Sequence, residues 1–196
     1  MEIVAEALPP YHGISRANVR LVRSDEDAAL ALAALLAADV IGFDTESKPT
    51  FVKGEASTGP HLVQLATDTH VYRFQIGARP AVHVLKPVLE SEAIVKVGFG
   101  LADDVKRLSS KLGIDTLNVV DLANTLKNGQ RNPVGAKTAV ARYFGKALQK
   151  SKKITTTNWS LPRLSEQQIL YAADDAHVAL RVYRLWRENP KPAFNL

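Results

Sequence analysis

Val40-Ile41-Gly42-Phe43-Asp44-Thr45-Glu46 is the segment where the chain changes period. Before it, Ser24 and Asp27 resemble a capping box ahead of Leu30, Leu32, Leu35 and Leu36, which predicts a first helix ending near Asp39. Val40 to Phe43 is instead a short apolar run suited to a buried strand, and it stops at Asp44. Asp44 and Glu46 therefore stand at or near a strand end. After it, Thr58 to Pro60 breaks the chain before strands predicted at His61 to Ala66 and His70 to Ile76, a hairpin joined by the polar Thr67 to Thr69. A helix over Pro80 to Leu89, a strand over Ile94 to Val97, a helix over Ala102 to Leu112 closed by Gly113, and a strand over Asn118 to Asp121 follow. Lys127 to Ser160 is less regular and contains one helix, Ala136 to Phe144. The last helix opens on Ser165, with Gln168 completing a capping box and Ile169, Ala173, Ala176 and Leu180 at helical spacing. A helix, three strands, then alternating helices and strands predict an α/β domain: a mixed five- or six-stranded sheet with helices on both faces.

The 196 residues fit one domain with a well-buried core, and 46% hydrophobic with 23% charged residues excludes a disordered chain. We expect an N-terminal arm at 1–16, broken by Pro9, Pro10 and Gly13, a folded domain at 17–188 and a tail at 189–196. The nearly apolar run from Ala28 to Val40 is too short to cross a bilayer, and Glu2 and Glu6 interrupt any signal-peptide pattern. The expectation is a cytoplasmic protein without a membrane partner. Without cysteine, thiolate catalysis and Cys-ligated zinc are excluded, so a metal would sit on carboxylates or histidines. The net charge of +5 favours polyanionic partners.

Three acidic segments carry the chemistry. Asp44 and Glu46, two apart in extended backbone, point to one face, where a cation should neutralise them. A lone Asp-x-Glu can equally end a strand in solvent. Asp103 and Asp104 follow Gly98, Phe99 and Gly100 at a strand-to-helix junction, where acids also complement the helix dipole. Tyr171 and Asp175, at i and i+4 on the last helix, share a face, and the intervening Ala172 and Ala173 would let that helix pack tightly on a sheet. Asp174 is rotated by roughly 100° and points elsewhere.

Ile41-Gly42-Phe43-Asp44-Thr45-Glu46, Lys96-Val97-Gly98-Phe99-Gly100-Leu101-Ala102-Asp103-Asp104 and Tyr171-Ala172-Ala173-Asp174-Asp175-Ala176 resemble, in order, the three motifs of the DEDD exonucleases. The tyrosine four before the last aspartate is similar to the DEDDy branch, which includes RNase D and Werner-type exonuclease domains. Leu62-Val63-Gln64-Leu65 and Asn158-Trp159-Ser160, followed by Leu164, Ser165 and Tyr171, extend the likeness to Werner-type sequences, over roughly Ala17 to Trp186. The resemblance implies an RNase H-like fold and a metal-dependent 3'-5' exonuclease that releases nucleoside 5'-monophosphates from DNA or RNA. It further implies that Asp44, Glu46, Asp104 and Asp175 bind two Mg2+ or Mn2+ ions and that Tyr171 orients the attacking water. Counting six from Gly98 in the family motif selects Asp104, although helical geometry alone does not exclude Asp103.

Phosphodiester hydrolysis brings an anionic nucleophile to an anionic phosphate. Two hard cations about 3.5 to 4 Å apart serve both the attacking and the leaving oxygen. Oxygen ligands suit magnesium and manganese. The stretch from Lys146 to Arg163 carries five cations and no acid, and could track a phosphate backbone outside the metal site. Thr45, Lys152, Lys153 and Trp159 are the expected substrate-binding residues; Trp159 either stacks on a terminal base or wedges its loop against the core. Phe51 could flank the substrate, and His177 is read as a surface or satisfied helix residue. The partner expected is single-stranded or 3'-terminal nucleic acid; protein partners are not specified, although targeting would need one. Two other readings compete: a noncatalytic nucleic-acid-binding module of the same fold, and a phosphatase of the haloacid dehalogenase type built on Asp44-Thr45-Glu46.

Overall fold

The computed structural model describes residues 8–52, 54–77, 80–127 and 129–194. Residues 1–7 of the expected arm and 195–196 of the expected tail lie outside the described residues. In chain order the elements are β1 (Val19–Leu21), α1 (Asp25–Leu36), β2 (Val40–Glu46), β3 (Leu62–Ala66), β4 (Val71–Gln75), α2 (Pro80–Leu89), β5 (Val95–Gly98), α3 (Ala102–Leu112), β6 (Val119–Asp121), α4 (Leu122–Thr125), α5 (Ala136–Phe144), α6 (Lys152–Thr155) and α7 (Glu166–Glu188). A short 3-10 turn over Arg16–Asn18 precedes β1.

Among the described residues the strands form one mixed sheet of six, ordered β1-β4-β3-β2-β5-β6. β3 runs antiparallel to β2 and β4, as the hairpin predicts, whereas β5 and β6 continue parallel from β2. β2 thus lies inside the sheet, where both faces must be covered. Ile41, Phe43, Val63, Leu65 and Phe74 bury one face against α1, α2 and α3. On the other face α7 crosses the sheet, with Ala173 and Ala176 against Ala66 and Val71, and Val178 and Val182 beside Val40 and α5.

The contact between α7 and β2 is a backbone contact. A Cβ placed on Gly42 would lie 2.0 Å from the Ala176 carbonyl oxygen, so only glycine admits the helix at that distance. The small side chains of Ala172, Ala173 and Ala176, all fully buried, complete the fit. At the N-terminus of α7, Ser165 Oγ accepts from the Gln168 amide at 3.2 Å and Gln168 Oε1 accepts from the Ser165 amide at 3.0 Å. The predicted capping box is formed, as it is at Ser24 and Asp27.

Some boundaries differ from expectation. α1 stops at Leu36 rather than near Asp39, whose carboxylate is gripped by Arg184 of α7 through two bonds of 2.7 Å. β1, α4 and α6 were not predicted; at three or four residues each they are too short to show a period. Residues 8–16 lie along the domain: Tyr11 bonds the Ala147 carbonyl at 2.9 Å, and the Ile14 amide donates to Asp174 Oδ1 at 2.8 Å.

Candidate active site

Three elements converge at the C-terminal end of β2. Strand alternation places Asp44 and Glu46 on the α7 face and Thr45 on the opposite face. α7 brings Asp175 down to the same point. Asp44, Glu46 and Asp175 each present a carboxylate oxygen within 4.8 Å of the others'. Burial raises the Asp44 carboxyl well above its ordinary range, and the charges of Asp175, Glu46 and Asp104 add to that shift. Glu46 is pushed up to about 8, by burial first and then by Asp175. Asp175 is raised by burial, although Lys150 opposes this. Carboxylates held this close in a dry site require either protons or a cation.

Lys150 is a cation already present. Its Nζ lies 2.6 Å from Asp175 Oδ1 and 5.7 Å from the centre of the Tyr171 ring. Burial alone would lower its pKa, but Asp175, Tyr171 and Asp44 outweigh that effect and the ammonium is favoured. Lys150 was expected only among the cations tracking a phosphate backbone outside the metal site. It belongs inside the site, because the fold of the segment after α5 returns it to α7.

Asp104 is placed differently from the other three acids. It sits in the first turn of α3, half-buried, whereas its neighbour Asp103 is exposed, which separates two residues that sequence geometry left equivalent. Its Oδ1 accepts a hydrogen bond from the Thr45 hydroxyl. Burial raises the Asp104 carboxyl, and the Thr45 bond opposes that shift. Thr45, expected to contact substrate, is buried, and its hydroxyl is engaged with Asp104. The Tyr171 hydroxyl shares a 2.9 Å hydrogen bond with Thr155 Oγ1 of α6. Thr155 is a member of the site that sequence reading missed, since no motif marked it.

Of the two placements expected for Trp159, the structure has the wedge. The residue is 1% exposed and packs on Leu62 and Ala172, with its Nε1 donating to the Thr155 carbonyl at 3.3 Å. No ring face is open to a base; the side chain wedges the loop against the core and so fixes α6 beside Tyr171. Lys152 and Lys153 are exposed on α6, and Phe51 is 80% exposed in the loop after β2. His177 is buried rather than at the surface, its Nδ1 has no hydrogen-bond partner, and burial lowers its pKa. Asp174 points away from the cluster, as predicted, toward the Ile14 amide.

An acid cluster made only of carboxylate oxygens fits a hard divalent cation such as magnesium or manganese. A central strand ending in paired acids, completed by a long helix across a mixed sheet, defines an RNase H-like hydrolase domain. The family model described as 3'-5' exonuclease matches residues 19–188, and the chain belongs to that family. It is 28% identical over 206 residues to the human Exonuclease mut-7 homolog, an alignment covering 90% of this chain and 23% of that protein. The EXO domain of Aedes aegypti Nibbler shares the fold with a TM-score of 0.77 at 24% identity, over 91% of this chain and 92% of that one. Trypanosoma brucei RNase D, solved in complex with RNA U12, gives a TM-score of 0.77 at 22% identity, over 90% of this chain and 65% of that one. The expected RNase H-like fold and DEDD-type exonuclease family are therefore found, and the phosphatase reading is displaced. Among the described residues no helix is long and apolar enough to cross a membrane.

Proposed function

We propose that this chain removes nucleoside 5'-monophosphates one at a time from the 3' end of single-stranded DNA or RNA, using two divalent ions held by Asp44, Glu46, Asp104 and Asp175. The convergence of Asp44, Glu46 and Asp175 to within 4.8 Å carries this reading, because bound cations would offset the cost of burying these acids so close together. When bound, magnesium or manganese supplies a lowered water pKa and positive charge for the leaving oxygen. Asp44 and Glu46 form the fixed floor of the site because each is held in register with β3, Asp44 opposite Gln64 and Glu46 opposite Leu62. Asp104, held by Thr45, would complete the ligand set from α3.

Tyr171 sits one helical turn before Asp175, and its hydroxyl is anchored by Thr155, so it orients the attacking water from a fixed position. Lys150 opposes the rise that burial imposes on Asp175 and so favours the ionised form that would take a metal ion. Lys152 and Lys153, exposed on α6 next to Thr155, are placed to meet the phosphates of an incoming strand. Both DNA and RNA are retained as substrates; the RNA bound to the trypanosome RNase D favours including the latter. The test is a denaturing-gel time course with 5'-labelled single-stranded DNA and RNA, with magnesium, manganese or EDTA. A ladder shortening from the 3' end only when metal is present is expected. Cleavage that persists in EDTA, or internal cuts, would overturn the reading.

A further inference from the structure

A second polar cleft lies outside the acidic cluster, where β4 and β1 meet the start of α7. Its volume is about 430 Å³, and Arg16, Arg23, Arg73 and Arg163 line it together with Gln75 and Glu166. Four guanidinium groups therefore face one carboxylate. Arg16 Nε takes that carboxylate, Glu166, at 2.7 Å. Among the described residues Arg23, Arg73 and Arg163 form no ion pair.

Arg73 is the informative member. It is 3% exposed, and its Nε is enclosed without a hydrogen-bond partner. A buried guanidinium N–H without an acceptor is costly, and an anion in the cleft would complete it. Burial, then the nearby Arg16 and Arg23, push Arg73 down to about 10, with only Glu166 opposing. The cleft is also built rather than incidental. Gln75 Nε2 donates to the Leu161 and Pro162 carbonyls at 3.1 and 3.4 Å, which fixes the loop that carries Arg163. Register puts Arg73 opposite Gln64, and Gln64 opposite Asp44, so the arginine lies two strands from the catalytic edge on the same face.

We propose that this arginine cleft binds a phosphate group. Guanidinium forks match oxyanions bidentately, and several of them around one cleft suit a tetrahedral phosphate oxyanion. The volume admits a phosphate with an ester substituent. Two sources share that chemistry: a phosphodiester of a nucleic-acid strand, and a free mononucleotide.

The test uses the whole chain in EDTA, so that no cleavage occurs and its outcome is independent of the exonuclease reading. Arg73→Met removes the buried charge, and Arg23→Gln with Arg163→Gln removes the two exposed charges that form no ion pair, without touching the core. Thermal melts are recorded against inorganic phosphate and against AMP at constant ionic strength. Phosphate should raise the wild-type melting temperature by a few degrees, and both variants should lose most of that response while keeping or exceeding the wild-type temperature in its absence. A fluorescence-anisotropy arm with 5'-labelled twelve-nucleotide RNA and DNA separates the sources. Binding weakened about tenfold in both variants assigns the cleft to a strand. Unchanged strand binding with a lost AMP response assigns it to a mononucleotide. Equal phosphate responses in the wild type and both variants, or none in any, would overturn the proposal.

Discussion

Asp44, Glu46 and Asp175 impose opposite demands on stability and on catalysis. Glu46 is raised to about 8 in the folded chain from an unfolded value near 4.5, so the native state holds a proton that the unfolded state releases. Stability from that proton is complete below the unfolded value and is lost as pH rises through about 8. Glu46→Gln should therefore leave the metal-free protein unchanged near pH 4 and stabilise it at pH 8, by an amount on the order of a few kcal/mol. Chemical denaturation in EDTA at both pH values reads this directly, and a variant less stable at pH 8 contradicts the assignment. Asp44→Asn should abolish metal-dependent cleavage without lowering the metal-free melting temperature, because burial and three neighbouring acids already disfavour its charge. Tyr171→Phe keeps the ring and removes the hydroxyl bonded to Thr155. Turnover should drop about a hundredfold or more, with strand binding in EDTA retained; near-normal turnover would remove Tyr171 from the chemistry.

α7 is the element that assembles the site, since it supplies Tyr171 and Asp175 while crossing a strand that supplies Asp44 and Glu46. Its approach to β2 depends on Gly42, where even a methyl group would meet the Ala176 carbonyl. Gly42→Ala should lift the helix at that crossing, costing about 1–3 kcal/mol and several degrees of melting temperature. The same shift carries Asp175 away from Asp44, so cleavage should fall even where the variant remains folded, with circular dichroism confirming the fold. Unaltered activity and stability would show that α7 is not set by this contact. α6 works through a smaller contact. The buried Trp159 anchors the loop beside α6, and Thr155 on α6 then fixes the Tyr171 hydroxyl, so the aromatic side chain acts on catalysis through packing rather than through a base.

Over the whole molecule, a basic chain of net charge +5 surrounds a buried acidic centre. Under the proposed function, nucleic acid would be attracted by the first and cut at the second only when cations reconcile phosphate with carboxylate. Metal binding must displace the protons that the metal-free cluster retains, so affinity should rise with pH. At about a hundredfold excess over its dissociation constant, manganese should raise the melting temperature by roughly 5–10 °C, more at pH 8 than at pH 6. Chelation with EDTA should reverse the gain. A metal response independent of pH would mean that ions bind away from the raised carboxyls.

Local signals were legible wherever one short stretch decided the outcome. The capping boxes at Ser24 and Ser165, the buried strand beginning at Val40 and the hairpin follow from side-chain type and spacing, although the strand runs on to Glu46 rather than stopping at Asp44, and the acids of the three motifs are singled out by the family resemblance. Tertiary structure decided what depends on residues far apart in sequence. It put Lys150 against Asp175, turned Thr45 toward Asp104, buried Trp159, and gathered the arginines of four separate segments into one cleft. The division is physical: a period or a cap is set by neighbours along the chain, whereas an ion pair, a buried ring or a cleft exists only once packing fixes the distance between its parts.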